Sequence, residues 1–289
     1  MRNAADAVPA LWTHEPHGHL MFRVGDKVGD IDTDATPGFS GSKVDAPTLQ
    51  AERNVRLAEL QEMLYANSRS GGDTRSVLLV LQGMDTAGKG GIVKHVMGGG
   101  ANPQGIQYRN FGKPTPEELS HHFLWRIRKG LPTAGHIGVF DRSHYEDVLI
   151  VRVHNLVPLE VWEPRYDEIN AFERELVDSG TALVKVAMFV SLNEQKKRLA
   201  ERLERPDKYW KYNPGDIDER LKWPLYEQAY QAMLDRTSTP PQAPWHIVPC
   251  NRKWYSRLAV TELLIEALKR LNMSWPPPDF DVAARRGGW

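Results

Sequence analysis

The chain has 289 residues, of which 41% are hydrophobic and 26% are charged, a composition typical of soluble globular proteins. Lys plus Arg equal Asp plus Glu at 37 each, so the overall charge predicts neither a nucleic acid nor an anionic membrane as partner, and any anion site must be local. Cys250 is the only cysteine, which excludes an intrachain disulfide and a cysteine-rich zinc site. Because no apolar run has the length of a membrane span or the pattern of a secretory signal, we expect a cytoplasmic protein.

Residues 1–46 are expected to form an N-terminal arm. They show little periodicity and include the loop-like stretch GDIDTDATPGFSG at 29–41. We expect this arm to lie across the core or across a neighbouring subunit. Residues 47–289 are expected to form the core itself.

Short apolar runs bounded by turn residues predict five strands in this core. They fall at about 76–83, 105–111, 136–141, 181–191 and 245–250. Apolar spacing and capping residues predict helices at about 47–71, 88–97, 115–130, 159–178, 193–204, 216–235 and 254–271. Strands that alternate with helices indicate an α/β fold with a doubly wound parallel sheet.

A phosphate-binding loop is predicted directly after the first strand, where GMDTAGK fits the pattern G-x-x-x-x-G-K. Backbone N–H groups of such a loop, and the helix N-terminus behind it, attract anions. We expect Lys89 to reach the phosphoryl group that is transferred. The alternative is a Gly-rich turn that only joins a strand to a helix. The predicted loop residues are Gly83, Met84, Asp85, Thr86, Ala87, Gly88, Lys89 and Gly90.

Gly90 stands where this pattern usually has the Ser or Thr whose hydroxyl reaches magnesium. Another oxygen must then hold the metal, and Asp85 inside the loop is the nearest candidate, unless it only bonds its own backbone in a turn. Asp141 ends the strand at 136–141, where a second metal-holding carboxylate belongs, although it could also be a helix cap. The sequence therefore predicts Mg²⁺, with Mn²⁺ as a substitute, held by Asp85 and Asp141. Arg142 is expected to hold phosphate oxygens.

A basic helix follows the fourth strand, within the stretch NEQKKRLAERLERPDKYWKYNPGD at 193–216. Arg198, Arg202 and Arg205 are spaced at i, i+4 and i+7, which predicts one helical face that could grip a multiply charged anion. The alternative is a solvated face with local ion pairs. Lys208 lies just beyond this helix, and further basic residues, among them Lys94 and Lys113, lie between the loop and the third strand.

These motifs together resemble the polyphosphate kinase 2 family. The resemblance rests on GMDTAGKGG, on FDRSHYEDVLIVRV from 140, and on EQKKRLAERLERPDKYWK from 194, and it covers most of residues 47–271. The segments IDTDATPGFSG, QGMDTAGKGGIVKHVM and NPQG are most similar to sequences of the branch that accepts both nucleoside mono- and diphosphates. Several relatives of that branch have an acid at the position of Gly90.

The resemblance implies a P-loop kinase core with a helical lid at about 193–216. It also implies transfer of phosphate between inorganic polyphosphate and a nucleotide such as AMP or ADP, with GDP as a further candidate, and a homo-oligomer, either dimer or tetramer. The residues that it makes central or places in the lid are Asp85, Lys89, Asp141, Arg142, Arg198 and Arg202. The remaining residues predicted to bind nucleotide or polyphosphate are Lys94, Lys113, Glu146, Arg205 and Lys208.

The chemistry agrees with that activity. A nucleotide attacks through a phosphate oxygen that is already anionic, so that positioning and charge neutralisation are what remain for the protein to supply. The alternative is an ATP-dependent nucleoside or nucleotide kinase of thymidylate-kinase-like type, for which Asp141 would serve as base. A third possibility is a nucleotide sensor that binds without turnover.

Overall fold

The computed structural model describes residues 11–239 and 241–286. Its centre is a sheet in which all pairings are parallel, which confirms the predicted α/β fold. The strands are β1 (Ser76–Gly83), β2 (Ile106–Asn110), β3 (Ile137–Asp141), β4 (Thr181–Phe189) and β5 (Trp245–Pro249). Their order across the sheet is β2-β3-β1-β4-β5. Residues 1–10 of the predicted arm, and residues 240 and 287–289 of the predicted core, lie outside the described residues.

Helices cover both faces of this sheet. They are α1 (Pro16–Leu20), α2 (Ala46–Gly71), α3 (Lys89–His95), α4 (Pro116–Leu119), α5 (Leu124–Lys129), α6 (Ile150–Val153), α7 (Leu159–Trp162), α8 (Arg165–Asp178), α9 (Leu192–Glu204), α10 (Gly215–Leu221), α11 (Trp223–Thr237), α12 (Lys253–Arg270) and α13 (Val282–Arg286). Short 3₁₀ segments are Val28–Asp30, Met97–Gly99, Pro103–Gly105, His144–Asp147 and Pro206–Lys211.

Three helices that the sequence predicts as continuous are each divided in two, so these predictions were wrong in length. The helix predicted at 159–178 is interrupted before α8, where Pro164 is the N-cap residue. The helix predicted at 216–235 breaks at Lys222, just before Pro224 in the first turn of α11. The helix predicted at 115–130 begins with a capping box and stops after one turn, at Ser120.

The two faces of β1 separate two cores because neighbouring side chains of a strand point in opposite directions. Val77, Leu79 and Leu81 pack with α2, α3 and α12. Leu78 and Val80 pack on the other side with α5, α8 and α11. These five side chains are fully buried, so β1 is a rigid strand from which the following loop starts.

The described part of the arm packs on the core of its own chain. Trp12 and Phe39 are buried, with ring centroids 4.9 Å apart, and join the core on the α12 side. Phe22 and Val28 join the opposite core. Across residues 11–239 and 241–286, no helix combines the length and apolar character that a bilayer crossing requires.

The carboxyl ends of the strands meet at one edge of the sheet. Leu81 pairs with Asp141, so β1 and β3 finish side by side, and Gly83 pairs with Met188 of β4. In sheets of this kind, ligands bind outside these strand ends, where chain connections diverge to opposite sides. The candidate site is therefore expected at this edge.

Candidate active site

The loop after β1 turns sharply because its glycines allow it. A Cβ on Gly83 would lie 2.8 Å from the carbonyl oxygen of Met188, so no larger residue fits there. Gly88 has a φ of 114°, and Thr86 is in the left-handed region with a φ of 65°. Lys89, the first residue of α3, folds back and donates from Nζ to the carbonyl oxygen of Gly83 at 2.6 Å. The amine of Lys89 therefore connects the start of α3 to Gly83, the first residue of the loop.

Gly90 differs from these glycines in having no steric requirement. A Cβ at this position would meet nothing within 4 Å, and its φ is not in the left-handed region. The missing hydroxyl is thus not the result of crowding. Other oxygens near the loop must serve any metal bound there.

The side chain of Arg198 supports the loop from α9. It is 5% exposed and donates from Nη1 to the carbonyl oxygens of Thr86 at 2.8 Å and Ala87 at 3.2 Å. From Nη2 it donates to the carbonyl oxygens of Cys250 at 2.5 Å and Asn251 at 3.0 Å. The guanidinium joins the phosphate loop to the end of β5, so it acts on the loop backbone.

Arg202 and Arg205 follow Arg198 in the chain but have different partners. Arg202 donates to Oδ2 of Asp216 at 2.8 Å and to the carbonyl oxygen of Lys211 at 3.0 Å. The prediction that Arg205 continues the helical face was wrong, because α9 ends at Glu204 and Arg205 is extended, with φ −112° and ψ 114°. It pairs with Asp207 at 2.8 Å. The three guanidinium groups are therefore not one row.

Asp141 and Arg142 join the end of β3 to the phosphate loop. Oδ2 of Asp141 accepts from the Tyr108 hydroxyl at 3.3 Å. Nη2 of Arg142 lies 3.6 Å from Oδ1 of Asp85. Burial disfavours the charged guanidinium, but Glu146, Asp85 and Asp141 outweigh this effect and raise the pKa of Arg142, which therefore stays cationic.

Arg142 has a strained backbone conformation, and the turn that follows it in the chain holds it there. Its φ is 63°, which costs roughly 1–3 kcal/mol for a residue that is not glycine. Directly after it, the Tyr145 hydroxyl donates to Oε1 of Glu173 at 2.6 Å, and Nζ of Lys185 donates to Oε2 of the same carboxylate at 2.6 Å. Burial opposes the charge on Glu173, but Lys185 and His144 outweigh this effect and lower the pKa of that carboxyl. This buried network anchors the turn from which Arg142 projects.

Two cavities flank the Asp85–Arg142 pair, and the larger one is cationic. Its volume is about 740 Å³, and it is lined by ten Lys and Arg side chains but only four Asp and Glu side chains. The Lys and Arg residues are Lys89, Lys94, Arg142, Arg198, Arg202, Arg205, Lys208, Lys211, Lys253 and Arg257. We call this space the cationic cavity.

The smaller cavity, of about 290 Å³, has the opposite character. Arg142 is the one Lys or Arg among its described lining residues, against four carboxylates. The carboxylates are Asp85, Glu146, Asp216 and Glu219, and the aromatic residues are Trp223, Tyr226 and Tyr230. The Tyr226 hydroxyl donates to Glu219 at 2.7 Å. We call this space the aromatic cavity.

Most residues predicted from sequence lie on these two cavities. Asp85 and Arg142 line both, and Glu146 lines the aromatic cavity. The predicted residues on the cationic cavity are Lys89, Lys94, Asp141, Arg198, Arg202, Arg205 and Lys208, together with loop residues Thr86, Ala87, Gly88 and Gly90. Gly83 and Met84 line the aromatic cavity. Within the described chain, Lys113 lines neither.

Sequence reasoning missed the basic residues at the start of α12. Lys253 and Arg257 line the cationic cavity, more than 160 positions after the loop in sequence. They follow the carboxyl end of β5 in the stretch NRKWYSR, which starts at Asn251. Because all carboxyl ends meet at one edge, basic residues directly after any strand were the available signal.

The donors near the loop fit a magnesium ion that is shared with a phosphate substrate. Asp85 and Asp141 both line the cationic cavity, and magnesium commonly uses one or two carboxylates together with phosphate oxygens and waters. In residues 11–239 and 241–286, no three His, Cys, Asp or Glu side chains are grouped as a cage made of protein alone. Asp85 and Asp141 would therefore hold such an ion together with phosphate oxygens and waters.

Comparison with known proteins gives consistent matches. The family model for polyphosphate kinase 2 matches residues 42–275. The chain is 44% identical over 249 residues to AMP/ADP-polyphosphate phosphotransferase of Meiothermus ruber, covering 86% of this chain and 91% of that protein. It is 40% identical to ADP-polyphosphate phosphotransferase of Rhodopseudomonas palustris, covering 89% and 91%. The crystal structure of polyphosphate kinase 2 from Arthrobacter aurescens has a TM-score of 0.93 and 49% identity, covering 97% of this chain and 98% of that one.

Proposed function

This chain belongs to the polyphosphate kinase 2 family and is a polyphosphate:nucleotide phosphotransferase, and we propose that AMP and ADP are its acceptors. The proposal follows the activity for which the relative from Meiothermus ruber is named, and the similarity to that relative covers most of this chain. GDP is a further candidate acceptor. The observation that carries the proposal is the meeting of two cavities of opposite character at one Asp–Arg pair.

We infer that polyphosphate occupies the cationic cavity. A chain of phosphates has no base or sugar, so a protein can recognise it only through repeated anionic oxygens. Ten Lys and Arg side chains around a volume of about 740 Å³ suit this ligand. The nucleotide would then occupy the aromatic cavity, with its terminal phosphate toward Arg142.

In this arrangement the phosphoryl group crosses between the cavities past Arg142. Lys89 and Arg142 neutralise charge on the group in transfer, which is the largest protein contribution to this kind of reaction. Asp85 and Asp141 would hold Mg²⁺, or Mn²⁺ in its place, which supplies further charge neutralisation at the phosphate oxygens. Arg198 keeps the loop backbone in position through its four carbonyl contacts.

The test is an assay with long polyphosphate, Mg²⁺ and AMP, ADP or GDP, without ATP. We expect ADP and ATP to form from AMP and ADP, and omission of the divalent ion to abolish both. Transfer that depends on added ATP as donor would instead identify an ATP-dependent nucleotide kinase. Nucleotide binding without transfer from any donor would identify a sensor.

Self-association into a dimer or tetramer is also proposed. Apolar side chains are exposed on this single chain, such as Val55 on the long helix α2, which is 71% exposed. Sedimentation at micromolar concentration should give a mass of two or four chains. A single-chain mass across the concentration range would reject this part of the proposal.

A further inference from the structure

A third cavity, of about 210 Å³, lies between the N-terminal arm and the core. The arm contributes four of its lining residues between 28 and 33. The core contributes Met84 of the phosphate loop and Trp223 of α11, which also line the aromatic cavity. The third cavity therefore adjoins the space that we assign to the nucleotide.

The arm is fixed on both sides of this cavity. The backbone N–H of Val28 donates to Oε1 of Gln231 at 2.8 Å. On the other side, the backbone N–H of Asn251 donates to the carbonyl oxygen of Thr33 at 3.1 Å, and its Nδ2 donates to Asp34 at 2.9 Å. The arm segment from 28 to 34 is thus a defined wall.

The lining is suited to a flat, uncharged ring. The described lining contains no Lys or Arg and one acid, Glu227, so a phosphate would be repelled. The indole of Trp223 donates from Nε1 to Oε1 of Glu227 at 2.8 Å, which fixes the orientation of its ring. A fixed indole beside apolar side chains favours a stacked aromatic ligand, and the carboxylate can accept from an exocyclic amino group.

We propose that this cavity is the base subsite of the nucleotide, and that the N-terminal arm closes it. The inference rests on the assignment of the nucleotide to the aromatic cavity. The aromatic and third cavities, at about 290 and 210 Å³, together fall in the range of roughly 300–1,000 Å³ that is usual for small-ligand sites. The arm then selects the acceptor while the loop and the cationic cavity handle phosphate.

The test adds a larger side chain to the arm wall of this cavity with Gly29→Leu. A Cβ at Gly29 meets nothing within 4 Å, and its φ is not in the left-handed region, so the substitution is compatible with the fold. We expect KM for ADP to rise roughly tenfold, the scale of a lost base-stacking contact, while KM for polyphosphate stays unchanged. The matched control is Val24→Leu in the same arm, a position that is 100% exposed, with both KM values unchanged.

Ribose 5-diphosphate, which lacks a base, separates base recognition from general distortion. In wild type it should be a much poorer acceptor than ADP, and Gly29→Leu should remove most of that difference. Ile31→Ala, which removes part of the wall instead of adding to it, should likewise raise KM for ADP and leave KM for ribose 5-diphosphate unchanged. An unchanged KM for ADP in both variants, or equal losses for ADP and ribose 5-diphosphate, would overturn the base subsite.

These outcomes are distinct from failure of the proposed function. If wild type transferred no phosphate from polyphosphate to any nucleotide, the function itself would be rejected before the variants were compared. If wild type were active but blind to the base, only the subsite would be rejected.

Discussion

The cationic and aromatic cavities share Asp85 and Arg142 but differ in almost everything else. One presents ten Lys and Arg side chains, whereas the other presents a single Arg with four carboxylates and three large aromatic residues. We propose that this contrast separates two substrates that both carry phosphate. Under the proposed function, we expect a long polyanion to favour the first cavity and the carboxylates of the second cavity to disfavour it. We therefore propose that charge placement directs donor and acceptor to opposite sides of one transfer point.

The largest effect should come from Arg142, one of the two residues that line both cavities. Arg142→Ala removes the cation at the transfer point, and we expect kcat to fall at least about a thousandfold in steady-state assays with either AMP or ADP. Arg128→Ala is the matched control, because Arg128 pairs with Glu175 on the surface and lines neither cavity. A loss below about tenfold for Arg142→Ala would show that the shared pair is not the transfer point.

Arg257, which was not predicted from the sequence, offers a way to change the cationic cavity without changing the aromatic cavity. We expect Arg257→Ala to raise KM for polyphosphate about tenfold, since a charge-assisted contact to phosphate contributes roughly 1.5–3 kcal/mol. KM for ADP should not change, and the salt dependence of polyphosphate binding should weaken. Parallel rises in both KM values would mean that the two cavities do not serve separate substrates.

The aromatic cavity can be made less selective by removing one acid. Glu219→Gln keeps an acceptor for the Tyr226 hydroxyl, which now donates to Glu219 at 2.7 Å, but lowers the negative charge. We expect polyphosphate to inhibit the variant competitively against ADP, with an inhibition constant several-fold lower than that for wild type. Inhibition patterns that match wild type would indicate that the carboxylates do not exclude the donor.

The smallest effect is expected at Gly90, which lines the cationic cavity but contributes no side chain to it. Gly90→Ala places a methyl group in open space at the start of α3, and replacing a helical glycine should stabilise the fold by about 0.5–1 kcal/mol. Activity should remain within about twofold, because no hydroxyl is used there. Chemical denaturation and the standard assay check both points; a large loss of activity would mean that the loop needs glycine at this position.

The sequence was informative where the residues of a motif are neighbours in the chain. The apolar run at Ser76–Gly83 predicted β1 and its loop, and Asp141 was expected at the end of β3, where it lies. The fold class followed from alternation of strands and helices. The lengths of several helices did not, because Pro164 and Pro224 interrupt segments whose apolar spacing continues.

Side-chain partners that come from distant parts of the chain were beyond sequence reasoning. Arg198 has helical spacing that is equally typical of an anion-binding face, but loop carbonyls and the end of β5 capture its guanidinium. Arg257 belongs to the same cavity as Lys89 only because β5 and β1 end at one edge. Such contacts depend on strand order, which composition and periodicity do not contain.

The most direct test of two separate substrate sites is a crystal structure of Asp141→Asn with polyphosphate and ADP bound together. We expect a chain of phosphates among Lys89, Lys208 and Arg257, and the nucleotide beside Tyr226 and Trp223, with the two ligands meeting at Arg142. Both ligands in one cavity, or the nucleotide among the lysines with polyphosphate against the aromatic rings, would contradict this arrangement.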